Sequence, residues 1–193
     1  IDLWFLDNLK VLFDAQVSAR KAVAEIADTC QSAEIEAIKA TIKGALREGL
    51  LLELKRESFS DRQIASFVND AFGKVVIDDN DVYALRQKLD IKPVYRAIDT
   101  CAGEFPTQTN YLYSTFSSSQ SEYVPLKSNK VVILGSGPNR IGQAIEFDYC
   151  CVQASLALKE QGIRSMIVNC NPETVSTDFD ISEVLFFEPL TLE

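Results

Sequence analysis

A glycine-rich segment near residue 135 is the first place where this sequence could do chemistry. Gly135, Gly137 and Gly142 follow a short apolar run and precede a predicted helix. Glycines at such a turn let backbone N–H groups approach a phosphate at a helix N-terminus, as in dinucleotide-binding loops. The dinucleotide pattern needs its third glycine at Arg140, however, and the next strand ends in Asn169-Cys170-Asn171 without an acid for the ribose. NAD or FAD binding stays open, a tight strand-to-helix turn is favoured, and a P-loop is excluded because no Gly-Lys-Ser/Thr is present.

Charged side chains surround this segment. Arg140, Glu146 and Asp148 lie in or just after the loop, and Glu173 and Asp178 follow the next predicted strand. Because the carboxyl ends of parallel strands meet at one edge of a sheet, we expect Arg140 and Glu146 to lie near Glu173. Taken singly, each carboxylate is more typical of a solvated or helix-capping residue, so the pattern alone assigns no role.

The residue types that are missing exclude several functions. The chain has no histidine and no Cys-x-x-Cys pair among its five cysteines, which argues against zinc sites and histidine-based nucleophilic catalysis. An odd number of cysteines predicts reduced thiols and a cytoplasmic protein. The net charge of −9 argues against a nucleic-acid partner or an anionic membrane surface. No apolar run approaches the roughly 20 residues that a membrane span needs.

The first hundred residues predict a small helical bundle. Apolar residues recur at helical spacing over Trp4 to Phe13 and again over Ile35 to Gly49, where the second helix should end. Ser60 to Gln63 has the form of a capping box, and the helix that it begins should stop at Gly73. Asp78 is a candidate cap for a further helix. Four or five short helices with no long strand among them are typical of an all-α domain.

The last third of the chain predicts a βαβ unit. Residues 130–134 form an apolar strand, and a helix from about Gln143 to Gln161 should stop at Gly162. Residues 165–169 predict a second strand and 184–187 a third. This order is typical of a parallel sheet with a right-handed crossover, as in a Rossmann-like domain.

Between these two parts the chain changes character. Residues 94–98 and 111–113 look extended, and the serine-rich stretch 117–121 is the best candidate for a linker. The predicted fold class is therefore mixed, with an all-α helical bundle followed by a partial α/β Rossmann-like segment. We place the helical domain at 1–116, the linker at 117–129 and the Rossmann-like domain at 130–193.

Several long, irregular strings resemble the large subunits of carbamoyl-phosphate synthetases. The resemblance is strong after Pro93, weaker before it, and covers nearly the whole chain. Upstream it includes Pro93-Val94-Tyr95, Asp99-Thr100-Cys101-Ala102 and Tyr111-Leu112-Tyr113-Ser114-Thr115. Downstream it includes residues 134–143 (LGSGPNRIGQ), 146–151 (EFDYCC), 169–178 (NCNPETVSTD) and 187–191 (FEPLT). These strings resemble the end of that family's oligomerisation domain and the start of its second synthetase half.

The resemblance implies a ligase that makes carbamoyl phosphate from bicarbonate, glutamine-derived ammonia and two ATP, for arginine and pyrimidine biosynthesis. It implies a pre-ATP-grasp domain at the C-terminal end of this chain, with ATP and Mg²⁺ or Mn²⁺ bound outside it. The implied partners are a small glutaminase subunit and further copies of the chain, joined through the helical domain. We also expect a piece of a longer protein, without catalytic, cofactor or metal residues of its own and inactive alone.

By the same resemblance, this chain lines part of an interior tunnel that carries carbamate between two active sites. The residues that match the tunnel wall and its glycine loop are Arg140, Ala144, Glu146, Glu173, Gly135, Gly137 and Gly142.

Two residues depart from the family pattern. Ser136 and Ala144 stand where the family usually has glycine. Ala144 adds one methyl group beside the expected tunnel wall, and Ser136 would be strained only if the loop required a positive φ there.

Two alternatives remain open from the residues. The first is a non-catalytic oligomerisation or regulatory module with a helical interface and a small-molecule pocket. The second is a nicotinamide-binding module.

Overall fold

The computed structural model describes residues 1–30, 34–106, 109–127, 129–135 and 148–193, which form two compact units. The first unit comprises residues 1–93 together with Glu193, and the second comprises residues 94–192. The first is helical and the second is built on a mixed sheet with parallel strands, which confirms the predicted fold class. None of the helices in the described part of the chain combines the length and the apolar character that a membrane crossing requires.

Five α-helices build the described part of the first unit. They are α1 (Leu3–Thr29), α2 (Ile35–Ala45), α3 (Leu51–Arg56), α4 (Asp61–Phe72) and α5 (Asp79–Lys88). A π-helical turn at Leu46–Leu50 connects α2 to α3. It contains Gly49 at a φ of +106°, a conformation that glycine adopts without steric cost. The helix predicted to end near Gly49 is therefore reshaped there, and a further helix follows at once.

Helix α1 is longer than the sequence pattern indicated and is packed at one end only. No glycine or proline interrupts its 27 residues. Its buried residues, Ala19, Val23 and Ala27, recur every fourth position in the C-terminal half. That half packs against α4, with the Arg20 guanidinium 4.9 Å from the Phe67 ring centre. The predicted apolar stripe from Trp4 to Phe13 is exposed and contributes nothing to the core of this unit.

The predicted helix caps are confirmed. Ser60 Oγ accepts from Gln63 N at 3.2 Å, and Gln63 Oε1 accepts from Ser60 N at 2.8 Å. Helix α4 ends at Gly73, which has a φ of +62°. Asp78 Oδ1 accepts from Asp81 N at 2.8 Å and begins α5. The core beneath these helices includes Ile38, Ile42, Leu51, Ile64, Val68, Val76, Val82 and Leu85.

Asp81 links α5 to α2 through charge. Lys43 Nζ donates to Asp81 Oδ1 at 2.8 Å, and Lys39 Nζ lies 3.5 Å from Oδ2. The hydrogen bond from Lys43 is the main cause that lowers the pKa of Asp81 below its usual 3.8, although partial burial acts in the opposite direction. The ionised carboxylate therefore stabilises the fold above pH 3.8, and that stabilisation is lost as the pH falls through the lowered pKa.

We expect Asp81→Asn to lower the free energy of unfolding by about 0.5–1 kcal/mol at pH 7, because the ion pairs with the two lysines are lost. The difference from the wild type should shrink as the pH falls below 3.8 and through the lowered pKa of Asp81. Urea denaturation between pH 3 and 7 measures it. Asp79→Asn removes the same charge from the same helical turn and should show a smaller, flatter effect; an equal pH dependence would contradict the role of Lys43.

The second unit contains a five-stranded sheet, one α-helix and a short 3-10 turn at Val175–Thr177 within the described residues. Their bounds are β1 (Val94–Ala97), β2 (Tyr111–Thr115), β3 (Lys130–Leu134), α6 (Tyr149–Glu160), β4 (Arg164–Val168) and β5 (Val184–Phe186). The strand order is β1-β2-β5-β4-β3, antiparallel between β1 and β2 and parallel at the other three contacts. Helix α6 ends just before Gly162, which has a φ of +70°, as predicted. The first residues of the predicted helix, 143–147, lie outside the described residues.

The boundary between the two compact units differs from the predicted domain limits of 1–116, 117–129 and 130–193. The two units divide after Pro93, because β2 pairs with β5 and belongs to the sheet. The predicted linker runs beside β1: Glu122 N donates to Tyr95 O at 2.8 Å, and Glu122 Oε2 accepts from Ala97 N at 2.7 Å. Tyr123 packs edge-on against Tyr95 and Phe186. Polar composition suggested a linker, whereas backbone pairing makes the segment part of the second unit.

Helix α6 is held on the sheet by a pair of buried hydroxyls. Ser155 is fully buried, its Oγ lies 2.6 Å from Ser165 Oγ, and it donates to Ile181 O at 2.5 Å. Ile167 and Leu185 form the centre of the sheet and are fully buried. The sheet therefore gives a rigid base for the loops that follow its strands.

Candidate functional site

The candidate site lies where β3, β4 and β5 end. Gly135 follows β3, and its N–H donates to Val168 O, the last residue of β4, at 2.8 Å. Asn169 N donates to Phe186 O, the last residue of β5, at 3.0 Å. The carboxyl ends of the three parallel strands thus meet at one edge, which is where ligands bind in open α/β sheets.

Gly135 is required here by close approach. A Cβ at this position would lie 2.8 Å from Asn169 Nδ2 and 3.2 Å from Asn169 Cβ and Cγ. Asn169 is fully buried, so its amide cannot turn away into solvent. The glycine that sequence analysis linked to a phosphate loop therefore has a packing role against the next strand.

The loop after β4 is shaped by two consecutive asparagine turns. Asn169 Oδ1 accepts from Asn171 N at 3.0 Å, and Asn171 Oδ1 accepts from Glu173 N at 3.0 Å. Asn side chains often bond their own backbone two residues ahead in this way. Thr177 Oγ1 also donates to Thr174 O at 2.7 Å. The backbone on both sides of Glu173 is held by side chains of its own loop.

A buried carboxylate supports this loop from α6. Asp148 lies at the N-cap of α6 and is 1% exposed. Its Oδ2 accepts from Ser176 N at 2.5 Å, and Ser176 Oγ accepts from Asn169 Nδ2 at 3.3 Å. Asp148, Asn169 and Ser176 therefore form one hydrogen-bonded group beneath the loop.

The structure describes two of the predicted site residues. Gly135 lies at the sheet edge, and Glu173 is exposed on the loop after β4. The others lie outside the described residues: Gly137, Arg140, Gly142, Ala144 and Glu146. The expected proximity of Arg140 and Glu146 to Glu173 stays a prediction.

Sequence reasoning missed the supporting roles of Asn169, Asn171 and Ser176. The Asn-x-Asn-Pro string carried a usable signal, because Asn and Pro are the residues from which tight turns are built. Nothing in the sequence indicated that Asp148 would bond Ser176, which is 28 positions away.

The segment that carries this edge is acidic. Residues 130–193 hold 4 basic and 9 acidic side chains. Within the part of the chain that the structure describes, no three histidine, cysteine or acidic residues are grouped as metal ligands. An exposed carboxylate on a braced loop is suited to contact a small polar molecule that passes or binds at this edge.

Comparison with known proteins identifies the relatives of the chain. Residues 127–193 match the carbamoyl phosphate synthase preATP-grasp domain. The carbamoyl phosphate synthase large chain of Xylella fastidiosa is 53% identical over 193 residues, that of Haemophilus ducreyi 46% and that of Pseudomonas putida 45%. In each case the match covers 100% of this chain.

The alignment is complete for this chain and partial for its relatives. The chain spans 15% of the length of the Xylella and Haemophilus proteins and 16% of the Pseudomonas protein. Sequence identity of this level over the full length of the chain, together with the match to the preATP-grasp domain, shows that the chain belongs to the family of carbamoyl phosphate synthase large chains.

Proposed function

We propose that this chain acts within a carbamoyl phosphate synthase large chain, where it contributes to assembly and lines an interior route for carbamate. The complete enzyme would be a cytoplasmic ligase that joins bicarbonate, ammonia from a glutaminase subunit and phosphate from two ATP, for arginine or pyrimidine synthesis. ATP and Mg²⁺ or Mn²⁺ would bind outside the 193 residues. The isolated chain would neither hydrolyse ATP nor form carbamoyl phosphate.

The observation that best supports the route is the position of Glu173. Its loop follows β4 at the carboxyl edge of the sheet, and the loop backbone is bonded to Asn171. The carboxylate is exposed while the residues beneath it are buried. A rigidly held polar group at such an edge can guide a small anion or its neutral acid without reacting with it.

Glu173→Ala in the complete large chain should therefore separate the partial and overall reactions. Bicarbonate-dependent ATP hydrolysis should stay within about twofold of the wild type, and overall synthesis should fall by about tenfold or more, since a hydrogen bond to a charged group contributes about 1.5–3 kcal/mol. Both rates and the melting temperature are measured on one preparation.

Glu160→Ala is the matched control. Glu160 is also exposed, and its replacement removes the same charge, but it is the last residue of α6 and lies just before the amino end of β4, at the opposite edge of the sheet. It should leave both rates unchanged. Unchanged overall synthesis in Glu173→Ala would remove Glu173 from the route, and a parallel fall of both rates with the melting temperature would make its role structural.

The proposed assembly role rests on α1. Nine large apolar residues in its first fifteen positions are at least 39% exposed: Leu3, Trp4, Phe5, Leu6, Leu9, Val11, Leu12, Phe13 and Val17. Surfaces of this kind mark interaction sites. Phe59, another large apolar side chain of the helical unit, is buried against Phe67 in the core and is not part of this surface.

We expect the chain to self-associate through this part of α1. Sedimentation over a wide concentration range should show a mass that rises with concentration, and Phe13→Glu should weaken the association by about tenfold or more. Val75→Glu, which replaces an isolated apolar residue that is 76% exposed, should not. A wild-type chain that stays monomeric at high micromolar concentration would refute the assembly role.

The described residues offer a candidate pocket for the alternative of a regulatory module. An open cavity of about 260 Å³ lies at the amino edge of the sheet, between Lys159, Phe179 and Glu183. Asn110 Oδ1 at its wall is buried and has no hydrogen-bond partner among the described residues. Binding of a small metabolite that is abolished by Asn110→Leu would favour this function.

A further inference from the structure

Asp148 uses its carboxylate in an unusual way for a helix N-cap residue. An aspartate in this position ordinarily accepts from the backbone of its own helix. Asp148 makes no such bond, although it is the residue before α6. Its Oδ2 instead accepts from Ser176 N in the loop after β4. With 1% exposure, this carboxylate is held in a place where an ionised group is costly unless it is hydrogen-bonded.

The contact with Ser176 continues toward Glu173 through buried polar groups. Ser176 Oγ accepts from Asn169 Nδ2, and Asn169 Oδ1 accepts from Asn171 N. Asn171 Oδ1 then accepts from Glu173 N. Asn169 and Ser176 are fully buried and Asn171 is 8% exposed. Four hydrogen bonds thus connect the start of α6 to the backbone of the residue proposed to line the route.

We propose that Asp148 is a positioning residue, which sets the conformation of the Glu173 loop through this series of hydrogen bonds. The proposal has a structural half, that Asp148 fixes the conformation of the loop, and a functional half, that this fixation matters for overall synthesis. Only the functional half rests on the proposed role of Glu173. Bonds that polarise one another in series can transmit the loss of one member to the next.

The structural half is tested by amide hydrogen exchange on the 193-residue chain. Asp148→Ala should speed exchange at Asn171 and Glu173, neither of which Asp148 touches, by about tenfold or more. Asp148→Asn keeps an acceptor oxygen for Ser176 N and should restore protection to within about threefold of the wild type. Ser176→Ala breaks the next hydrogen bond and serves as a second variant, with the same expected direction, if Asp148→Ala does not fold.

Ser155→Ala is the matched control. Ser155 is equally buried in the same unit, but it bonds Ser165 and Ile181 and takes no part in the bonds from Asp148 to Glu173. Its replacement should leave exchange at Asn171 and Glu173 unchanged. If exchange at Asn171 and Glu173 is unchanged in Asp148→Ala and Ser176→Ala, or if Ser155→Ala speeds exchange at Glu173 as much as they do, Asp148 is not a positioning residue.

The functional half is tested in the complete large chain. Asp148→Ala should lower overall synthesis and spare bicarbonate-dependent ATP hydrolysis, and combining it with Glu173→Ala should add little to the Glu173→Ala loss. If the double variant instead lost overall synthesis by the product of the two single losses, the positioning role would be overturned. If exchange responds as expected but neither Asp148→Ala nor Glu173→Ala alters synthesis, the proposed route fails while the structural half stands.

Discussion

Asp61→Ala should lower the free energy of unfolding of the helical unit by about 3–5 kcal/mol, because it removes the buried carboxylate that Arg86 and Lys55 share. Arg86 Nε lies 3.0 and 3.1 Å from the two oxygens of Asp61, and Arg86 Nη2 lies 2.9 Å from Oδ2. Lys55 Nζ donates to Asp61 Oδ1 at 3.1 Å and also contacts Phe59 O and Glu193. Lys55 and Arg86 are each 1% exposed and Asp61 is 2% exposed. Chemical denaturation, followed by helical circular dichroism, measures the loss.

Asp70→Ala provides a matched control in the same helix. Asp70 forms an ion pair with Arg20 at 2.9 Å, but both side chains are about half exposed, so its removal should cost less than about 1 kcal/mol. Asp61→Asn keeps the shape of the side chain, removes its charge and should fall between the two. An Asp61→Ala cost no larger than that of Asp70→Ala would show that the buried cluster adds nothing to stability.

Gly135→Ala should destabilise the second unit by about 1–3 kcal/mol, which is typical of one added group in a closely packed site. The new methyl group would meet Asn169 Nδ2 at 2.8 Å, and Asn169 is fixed by its bonds to Asn171 and Ser176. The strain should therefore spread into the Glu173 loop, and overall synthesis in the complete large chain should fall with it. Thermal unfolding of the 193-residue chain measures the change in stability.

Gly44→Ala is the comparison for this prediction. Gly44 lies within α2, and a Cβ added there would meet no atom within 4 Å. Because alanine favours a helix interior over glycine, this replacement should stabilise the chain by about 0.5–1 kcal/mol. Equal effects of the two replacements would show that contact with Asn169 does not explain why position 135 is a glycine.

Predictions from sequence succeeded where the physical cause is local. The capping box at Ser60–Gln63, the end of α4 at Gly73 and the cap at Asp78 each depend on residues within four positions of one another. The strand that ends before Gly135 and the helix that ends before Gly162 follow equally local patterns. Such signals need no knowledge of what the segment packs against.

Predictions failed or fell short where a distant segment decides. The capping-box pattern at Ser60 to Gln63 assigned no role to Asp61, because its partner Arg86 lies 25 positions away. The apolar stripe at Trp4 to Phe13 predicted a helix, which the structure has, but it did not indicate which part of that helix packs against the rest of the unit. The polar stretch at 117–121 predicted a linker, whereas its continuation, Glu122, bonds the edge of β1.

The sequence by itself determined the order of helices and strands, the caps that delimit them and, through its long strings, the family. It also predicted that Glu173 follows a strand at the carboxyl edge of the sheet, because the carboxyl ends of parallel strands all lie at the same edge. The tertiary structure alone decided that β2 belongs to this sheet, that Asp61 forms ion pairs with two buried cations and that Asp148 supports the Glu173 loop. A local sequence pattern indicates the backbone preference of a segment and the face that it buries. The contacts of β2, Asp61 and Asp148 join residues between 6 and 74 positions apart and exist only once the chain has folded.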